Sequence, residues 1–262
     1  MIRPLMDLRL SDSRVLVTGA SAGIGLATAE LLIGEGARVA MASRHPEEEA
    51  KRLGAVPVAG DLSTAEGCSN AVEQAVGELG GLDVLVNNVG LARIAEFEET
   101  SDEEWQAAWD LNVMGYVRCI RASLPHLRRS DHAAIVNVAS TAGKRPSTGM
   151  PEYSVTKSAV LGLSRLVADL YARDGIRCNA VTPGPTLSPA WLGIGGLADQ
   201  TAADSDRSRD DVLKAVGSGR PLGRMAEPEE IATVIAFLSS PRSSYVTGAA
   251  WSADGGTVNV II

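Results

Sequence analysis

The chain has 262 residues with 45% apolar side chains, enough to bury one sizeable α/β core, and no Pro/Ser-rich linker or break in composition divides it. Its formal net charge of −8 argues against nonspecific binding to nucleic acid or to an anionic membrane. Aromatics are only 4%, so the core must be built from Ala, Val, Leu and Ile, which suits helices packed on a parallel sheet.

The opening residues, Met-Ile-Arg-Pro-Leu-Met-Asp-Leu-Arg-Leu, carry charges every few positions and do not read as a signal peptide, and no apolar run reaches membrane-spanning length. Three widely spaced cysteines, Cys68, Cys119 and Cys178, read as reduced thiols of a cytoplasmic protein. The three histidines lack ligand spacing, and no metal is expected.

In chain order, Arg14–Thr18 is a short apolar strand feeding a glycine-rich turn, and Ile24 to Ile33 is an Ala/Leu-rich helix stopping near Gly34 and Gly36. Glycines at 19, 23 and 25 let the main chain approach a pyrophosphate at a helix N-terminus, where free N–H groups and the helix dipole favour an anion. A plain tight turn is the alternative. The next strand, Arg38–Ser43, ends where dinucleotide folds place an acid on the adenosine ribose. Here the residues are Ser43 and Arg44, which offer donors and a positive charge. That favours NADP(H), with NAD(H) left open by Ala22, a position where a second basic residue would strengthen the preference.

Residues 55–62 read as a third strand with Asp61 and Leu62 at its carboxyl end, and Asp61 could cap the helix that starts near Thr64 and runs to Leu79. Residues 82–87 form a fourth strand buried on both faces, followed by Asn87-Asn88-Val89-Gly90. From Ser101, with Glu104 three residues on as a capping box, a long helical segment runs toward His126 with Asn112 inside it. A mid-helix Asn is unfavourable by propensity and invites a reason.

Residues 134–139 are a buried strand ending at Ser140, and a helix follows with Tyr153 and Lys157 in its first turns. Positions i and i+4 share a helical face, so the phenol and the ammonium can share a site. A cation there is expected to pull the tyrosine down from its usual pKa of ~10 toward the range a general acid needs. Surface accident is the bland reading of a lone Tyr-x-x-x-Lys. A sixth strand over 176–182 leads into Pro183-Gly184, a turn whose backbone groups would lie near a nicotinamide carboxamide.

Residues 187–225 are the least regular stretch and read as a substrate loop or lid, with Trp191 and Leu192 as its apolar wall. Residues 227–239 form an amphipathic helix, and 249–256 a last strand and turn. The tail 258–262 is apolar enough to suggest burial against a second subunit.

Taken in order, Thr18-Gly19-Ala20-Ser21-Ala22-Gly23-Ile24-Gly25, Asn87-Asn88-Val89-Gly90, Asn112, Ser140, Tyr153, Lys157 and Pro183-Gly184 resemble the short-chain dehydrogenase/reductase family, with Val89 where the family usually has Ala. The likeness covers nearly the whole chain. It extends to 3-oxoacyl-acyl-carrier-protein reductases through the widely shared segment from Arg220 to Glu230. It implies a single-domain α/β fold, a doubly wound, Rossmann-type parallel sheet of about seven strands with helices on both faces and the active site at the strands' carboxyl ends.

The resemblance also implies roles. Ser140, Tyr153, Lys157 and Asn112 would be catalytic, Asn112 through a backbone carbonyl, freed by a local kink in the helix, that holds a water in a proton relay to the lysine. The cofactor would meet Gly19, Ser21, Ala22, Gly23, Ile24, Gly25, Ser43, Arg44, Asp61, Leu62, Asn88, Gly90, Tyr153, Lys157, Pro183, Gly184 and Thr186, with Asp61 and Leu62 at the adenine. The expected activity is hydride transfer between NADP(H) and a carbonyl or secondary alcohol, such as a 3-oxoacyl thioester or small ketone, with Ser140, Tyr153 and Trp191 touching substrate. A homotetramer or homodimer is expected. Docking of an acidic acyl-carrier protein would need a basic patch, to which Arg128, Arg129 and Arg173 could contribute and which Asp131 and Asp174 would spoil. The other class of reading is a sensor that binds NADP(H) without turnover.

Overall fold

A computed structural model describes residues 7–259. Seven parallel strands form one sheet in the order β3-β2-β1-β4-β5-β6-β7. They are β1 (Arg14–Thr18), β2 (Arg38–Ser43), β3 (Val56–Ala59), β4 (Val84–Asn87), β5 (Ala134–Val138), β6 (Arg177–Pro183) and β7 (Ala250–Ala253). The helices between them are α1 (Gly23–Gly34), α2 (Glu47–Leu53), α3 (Ala65–Leu79), α4 (Asp102–Trp109), α5 (Gly115–Leu127), α6 (Thr141–Lys144), α7 (Pro151–Tyr171), α8 (Pro189–Leu192), α9 (Leu197–Ala203), α10 (Arg209–Ser218) and α11 (Pro228–Ser239).

The central strands are apolar on both faces because both faces are covered. Leu16, Leu85 and Ile135 point toward α3, α5 and α7, where they meet Ala71, Val72, Ile120, Leu124 and Val167. Their neighbours Val15, Val17, Val84, Val86 and Val136 point the other way, onto Ala29 and Leu32 of α1 and Ile231 and Ile235 of α11. Strand order reverses between β1 and β4, so the connections leaving those strands diverge and open a crevice at their carboxyl ends.

Local chemistry explains the element ends. Ser101 and Glu104 form the expected capping box at the start of α4. At α3, Thr64 rather than Asp61 is the cap: its hydroxyl accepts from the Gly67 N–H at 3.0 Å. Asp61 instead accepts from the Ser63 N–H and hydroxyl at 3.0 and 2.8 Å, which makes the turn that delivers Thr64 to the cap position. The long helix expected over 101–126 is interrupted by a π-helical turn at Asp110–Met114 holding Asn112. Residues 187–225 contain the three short helices α8, α9 and α10, with the charged run partly in α10.

No described helix is long and apolar enough to cross a membrane. Cys68, Cys119 and Cys178 are all buried and free. The apolar tail reaches beyond the described residues after Asn259.

Candidate active site

The carboxyl ends of the strands open into a cleft of about 1440 Å³. That is larger than the usual small-ligand pocket and has room for an extended ligand beside a second, small one. At the β1 end, Gly19 adopts φ +64°, a conformation open to glycine at little cost. A Cβ on Gly25 would run into the Gly19 carbonyl oxygen and the Asn88 amide, so this turn closes only without a side chain there. The first turn of α1 has no side-chain cap at Ala22, which leaves its free N–H groups available to an anion in the cleft. Asn88 holds the turn from behind, donating through Nδ2 to the Thr18 and Gly19 carbonyls at 3.0 and 3.1 Å.

At the end of β2 the Ser43 hydroxyl is buried without a hydrogen-bond partner among the described residues, and Arg44 beside it is exposed. The Asp61 carboxylate is held below its usual range by the Ser63 backbone and side-chain hydrogen bonds, with the Arg44 charge adding to them. The Ser43 hydroxyl, the exposed Arg44 guanidinium and the glycine cradle fit an adenosine dinucleotide along this side of the cleft.

At the end of β5, Ser140 accepts from the Ala142 N–H at 3.1 Å and starts α6. Tyr153 and Lys157 face the same cleft from α7. The Lys157 ammonium donates to the Val138 carbonyl at 2.8 Å and to the Tyr116 hydroxyl at 3.3 Å. It lies 5.7 Å from the centre of the Tyr153 ring. Burial lowers Lys157 to about 7, and burial raises the Tyr153 phenol above its ordinary value while the Ser140 side chain pulls it the other way. The downward shift expected of Tyr153 is therefore absent here. Desolvation weakens the lysine's own charge as well, and with its ammonium bonded to Val138 and Tyr116 it does not overcome the desolvation of the phenol.

Of the residues singled out in the sequence, Gly19, Ser21, Ala22, Gly23, Ile24, Ser43, Arg44, Asp61, Leu62, Asn88, Gly90, Ser140, Tyr153, Lys157, Pro183, Gly184, Thr186 and Trp191 all line this cleft. Gly25 and Asn112 stand behind its wall. Asn112 is fully buried, accepting from the Leu91 N–H at 2.8 Å and donating to the Leu91 carbonyl at 3.0 Å and the Thr156 hydroxyl at 3.1 Å. Leu192 is not on the cleft wall and is 39% exposed, because one turn of α8 cannot aim two consecutive side chains the same way.

Sequence reasoning missed His45, Arg145 and Arg220, all of which line the cleft. The first follows Arg44 directly and the second lies between Ser140 and Tyr153, so neighbourhood could have flagged both. Residues 187–225 are anchored from two sides. Ser188 and Pro189 come up against Gly23, and Gln200 of α9 accepts from the Ile94 N–H at 2.8 Å.

A family model described as Enoyl-(Acyl carrier protein) reductase matches residues 19–258. The chain belongs to the short-chain dehydrogenase/reductase family. This family member is 36% identical to an uncharacterized oxidoreductase, YvrD, of Bacillus subtilis, over 97% of this chain and 99% of that one. It is 34% identical to the 3-oxoacyl-[acyl-carrier-protein] reductase FabG of Thermotoga maritima, over 96% of this chain and 100% of that one. Among solved structures, L-sorbose reductase of Gluconobacter frateurii, complexed with NADPH and L-sorbose, superposes on the short-chain dehydrogenase/reductase chain with a TM-score of 0.90. That match has 34% identity and covers 98% of this chain and 100% of the other.

Proposed function

We propose that this oxidoreductase interconverts a carbonyl and a secondary alcohol with NADP(H), Tyr153 acting as general acid in reduction and general base in oxidation. The observation that carries the reading is one cleft lined both by the glycine turn of β1 and by Ser140, Tyr153 and Lys157. When bound, the reduced nicotinamide supplies the hydride. Ser140 donates a hydrogen bond to the carbonyl oxygen as negative charge grows on it, and Tyr153 delivers the proton. The phenol holds its proton at neutral pH and so has one to give, while burial in the cleft makes it a weaker acid than a free tyrosine. Lys157 holds the nicotinamide ribose and supports the phenol, and the Asn112 main-chain carbonyl, in the widened turn, holds water on the way to Lys157. Pro183, Gly184 and Thr186 face the carboxamide, and Trp191 walls the substrate end.

Ser43, Arg44 and the lack of an acid at the end of β2 support NADP(H) over NAD(H), as does NADPH in the sorbose reductase complex. We place the protein in the cytoplasm as a homotetramer or homodimer. Val155, Leu166 and Leu170 of α7, all exposed, are apolar surface that a second copy would cover. The substrate is a small ketone or a 3-oxoacyl thioester. Docking of an acyl-carrier protein has weaker support, since Arg128 is already paired with Asp174 at 2.7 Å.

The test is to offer the purified protein NADPH with a panel of ketones and acyl thioesters and follow nicotinamide absorbance. Oxidation that requires the carbonyl compound supports the enzyme, whereas NADPH binding without turnover across the panel would favour the sensor. Repeating the assay with NADH and with Arg44→Ala tests cofactor choice, and unchanged discrimination would remove Arg44 from it.

A further inference from the structure

Two cations in the cleft are not used by this reading. Arg145 lies in the connection from β5 to α7, and Arg220 in the segment between β6 and α11. By strand order both sit toward the β5–β7 end of the cleft, away from the β2 end where Arg44 serves the adenosine side. Arg14, Arg93, Arg118, Arg209 and Arg224 each pair with a carboxylate. Arg145 and Arg220 have no acidic partner within 4 Å among the described residues.

The two carboxylates that reach the cleft do not neutralise them. Asp61 is occupied by Ser63, and Asp110 is paired with Arg118 at 3.0 Å. Arg220 is also held in place: its Nε donates to the Val216 carbonyl at 3.1 Å. That bond tethers the guanidinium through Nε and leaves its two terminal nitrogens without a partner among the described residues. The hydroxyl-bearing residues Ser147, Thr148 and Thr257 line the same cleft. In a chain of net charge −8, two guanidiniums without an ion-pair partner among the described residues, in the cleft that Ser140 and Tyr153 also line, form a local reversal of sign.

We propose that the carbonyl substrate carries an oxyanion, a carboxylate or a phosphate, which Arg145 and Arg220 bind while its carbonyl lies at Ser140 and Tyr153. The inference rests on the oxidoreductase reading and deepens it. A guanidinium fork pairs two parallel N–H donors with two oxygens of a carboxylate or a phosphate, and an ester or an alcohol offers it no charged pair of acceptors. Anion binding at one end and carbonyl activation at the other would set the substrate's direction in the cleft.

The experiment compares matched pairs with the NADPH-loaded protein: levulinate and methyl levulinate, 4-oxocyclohexanecarboxylate and its methyl ester, dihydroxyacetone phosphate and dihydroxyacetone. The charged member is expected to win in kcat/KM by ~10- to 100-fold in at least one pair, the scale of a charge-assisted hydrogen bond. The winning pair tells carboxylate from phosphate. Arg145→Gln and Arg220→Gln should each collapse that ratio, mainly through KM for the charged member, with NADPH affinity retained as the check on folding. Neutral members equal or better in every pair would overturn the inference and leave the oxidoreductase reading standing, as would variants that lower both members alike. If no pair turns over, the oxidoreductase reading is what fails, and the anion subsite is then judged by melting of the NADPH-loaded protein. A rise given by the charged compounds alone and lost in the double variant upholds the subsite, and its absence overturns it.

Discussion

The Lys157 ammonium donates to the main-chain carbonyl of Val138, the last residue of β5, at 2.8 Å, two positions before Ser140. This bond ties the helix carrying Tyr153 to the strand carrying Ser140, at the cost of burying a lysine. Burial lowers Lys157 to about 7, while an unfolded lysine keeps its proton to ~10.4. Between those values the unfolded chain binds more protons, so this group's contribution to stability rises from about pH 7 to about pH 10.4. NMR titration of ¹³Cε-labelled lysines in the cofactor-free protein, with Lys157→Met for assignment, should show a midpoint near 7. A midpoint near the ordinary lysine value would contradict the burial.

The Asn112 side chain clamps Leu91 and Thr156 rather than reaching the cleft. Asn112→Ala should destabilise the protein by ~1–3 kcal/mol, since it leaves buried polar groups unpaired. At this chain length the melting temperature should fall by roughly 2–10 °C. Thermal unfolding of variant and wild type checks it.

Gly25→Ala would push a methyl group into the Gly19 carbonyl and the Asn88 amide, both fixed by backbone or by hydrogen bonds. The turn must open to admit it. Calorimetric titration should show NADPH affinity falling at least ~10-fold, the equivalent of about 1.4 kcal/mol. Unchanged affinity would mean that the turn does not hold the pyrophosphate.

At the other end of the central strands, where β1 and β4 begin, Asp83 accepts from the Arg14 N–H and Nε, both at 2.8 Å, and from Nη2 at 2.7 Å. Burial pushes the carboxyl up, but the Arg14 hydrogen bonds outweigh it and hold it at about 2. An unfolded aspartate titrates near ~3.9, so this stabilisation, on the order of 2 kcal/mol, is full above pH ~4 and lost as pH falls toward 2. Asp83→Asn should remove that acid limb from a plot of unfolding free energy against pH.

The fold was legible because apolar runs such as Val84–Asn87 and Ala134–Val138 can be buried on both faces only in a covered parallel sheet. The glycine turn, Ser140, Tyr153 and Lys157 were legible because their spacing carries chemistry. Four features were hidden. Asp61 and Thr64 are both competent caps, and only the turn geometry decides between them. The π turn around Asn112 leaves no more trace than a polar residue in a helix. The upward shift of Tyr153 depends on how much water its surroundings exclude, which spacing along a helix does not record. Arg145 and Arg220 are separated by 75 positions, and folding alone makes them neighbours of one cleft.

The most direct measurement is steady-state NADPH oxidation by Tyr153→Phe, paired with its NADPH affinity by fluorescence titration. With a carbonyl substrate that the wild type reduces, kcat should fall ~10²- to 10⁴-fold while the dissociation constant for NADPH stays within about twofold. Turnover near the wild-type rate would show that the proton comes from elsewhere and that the phenol is not the acid.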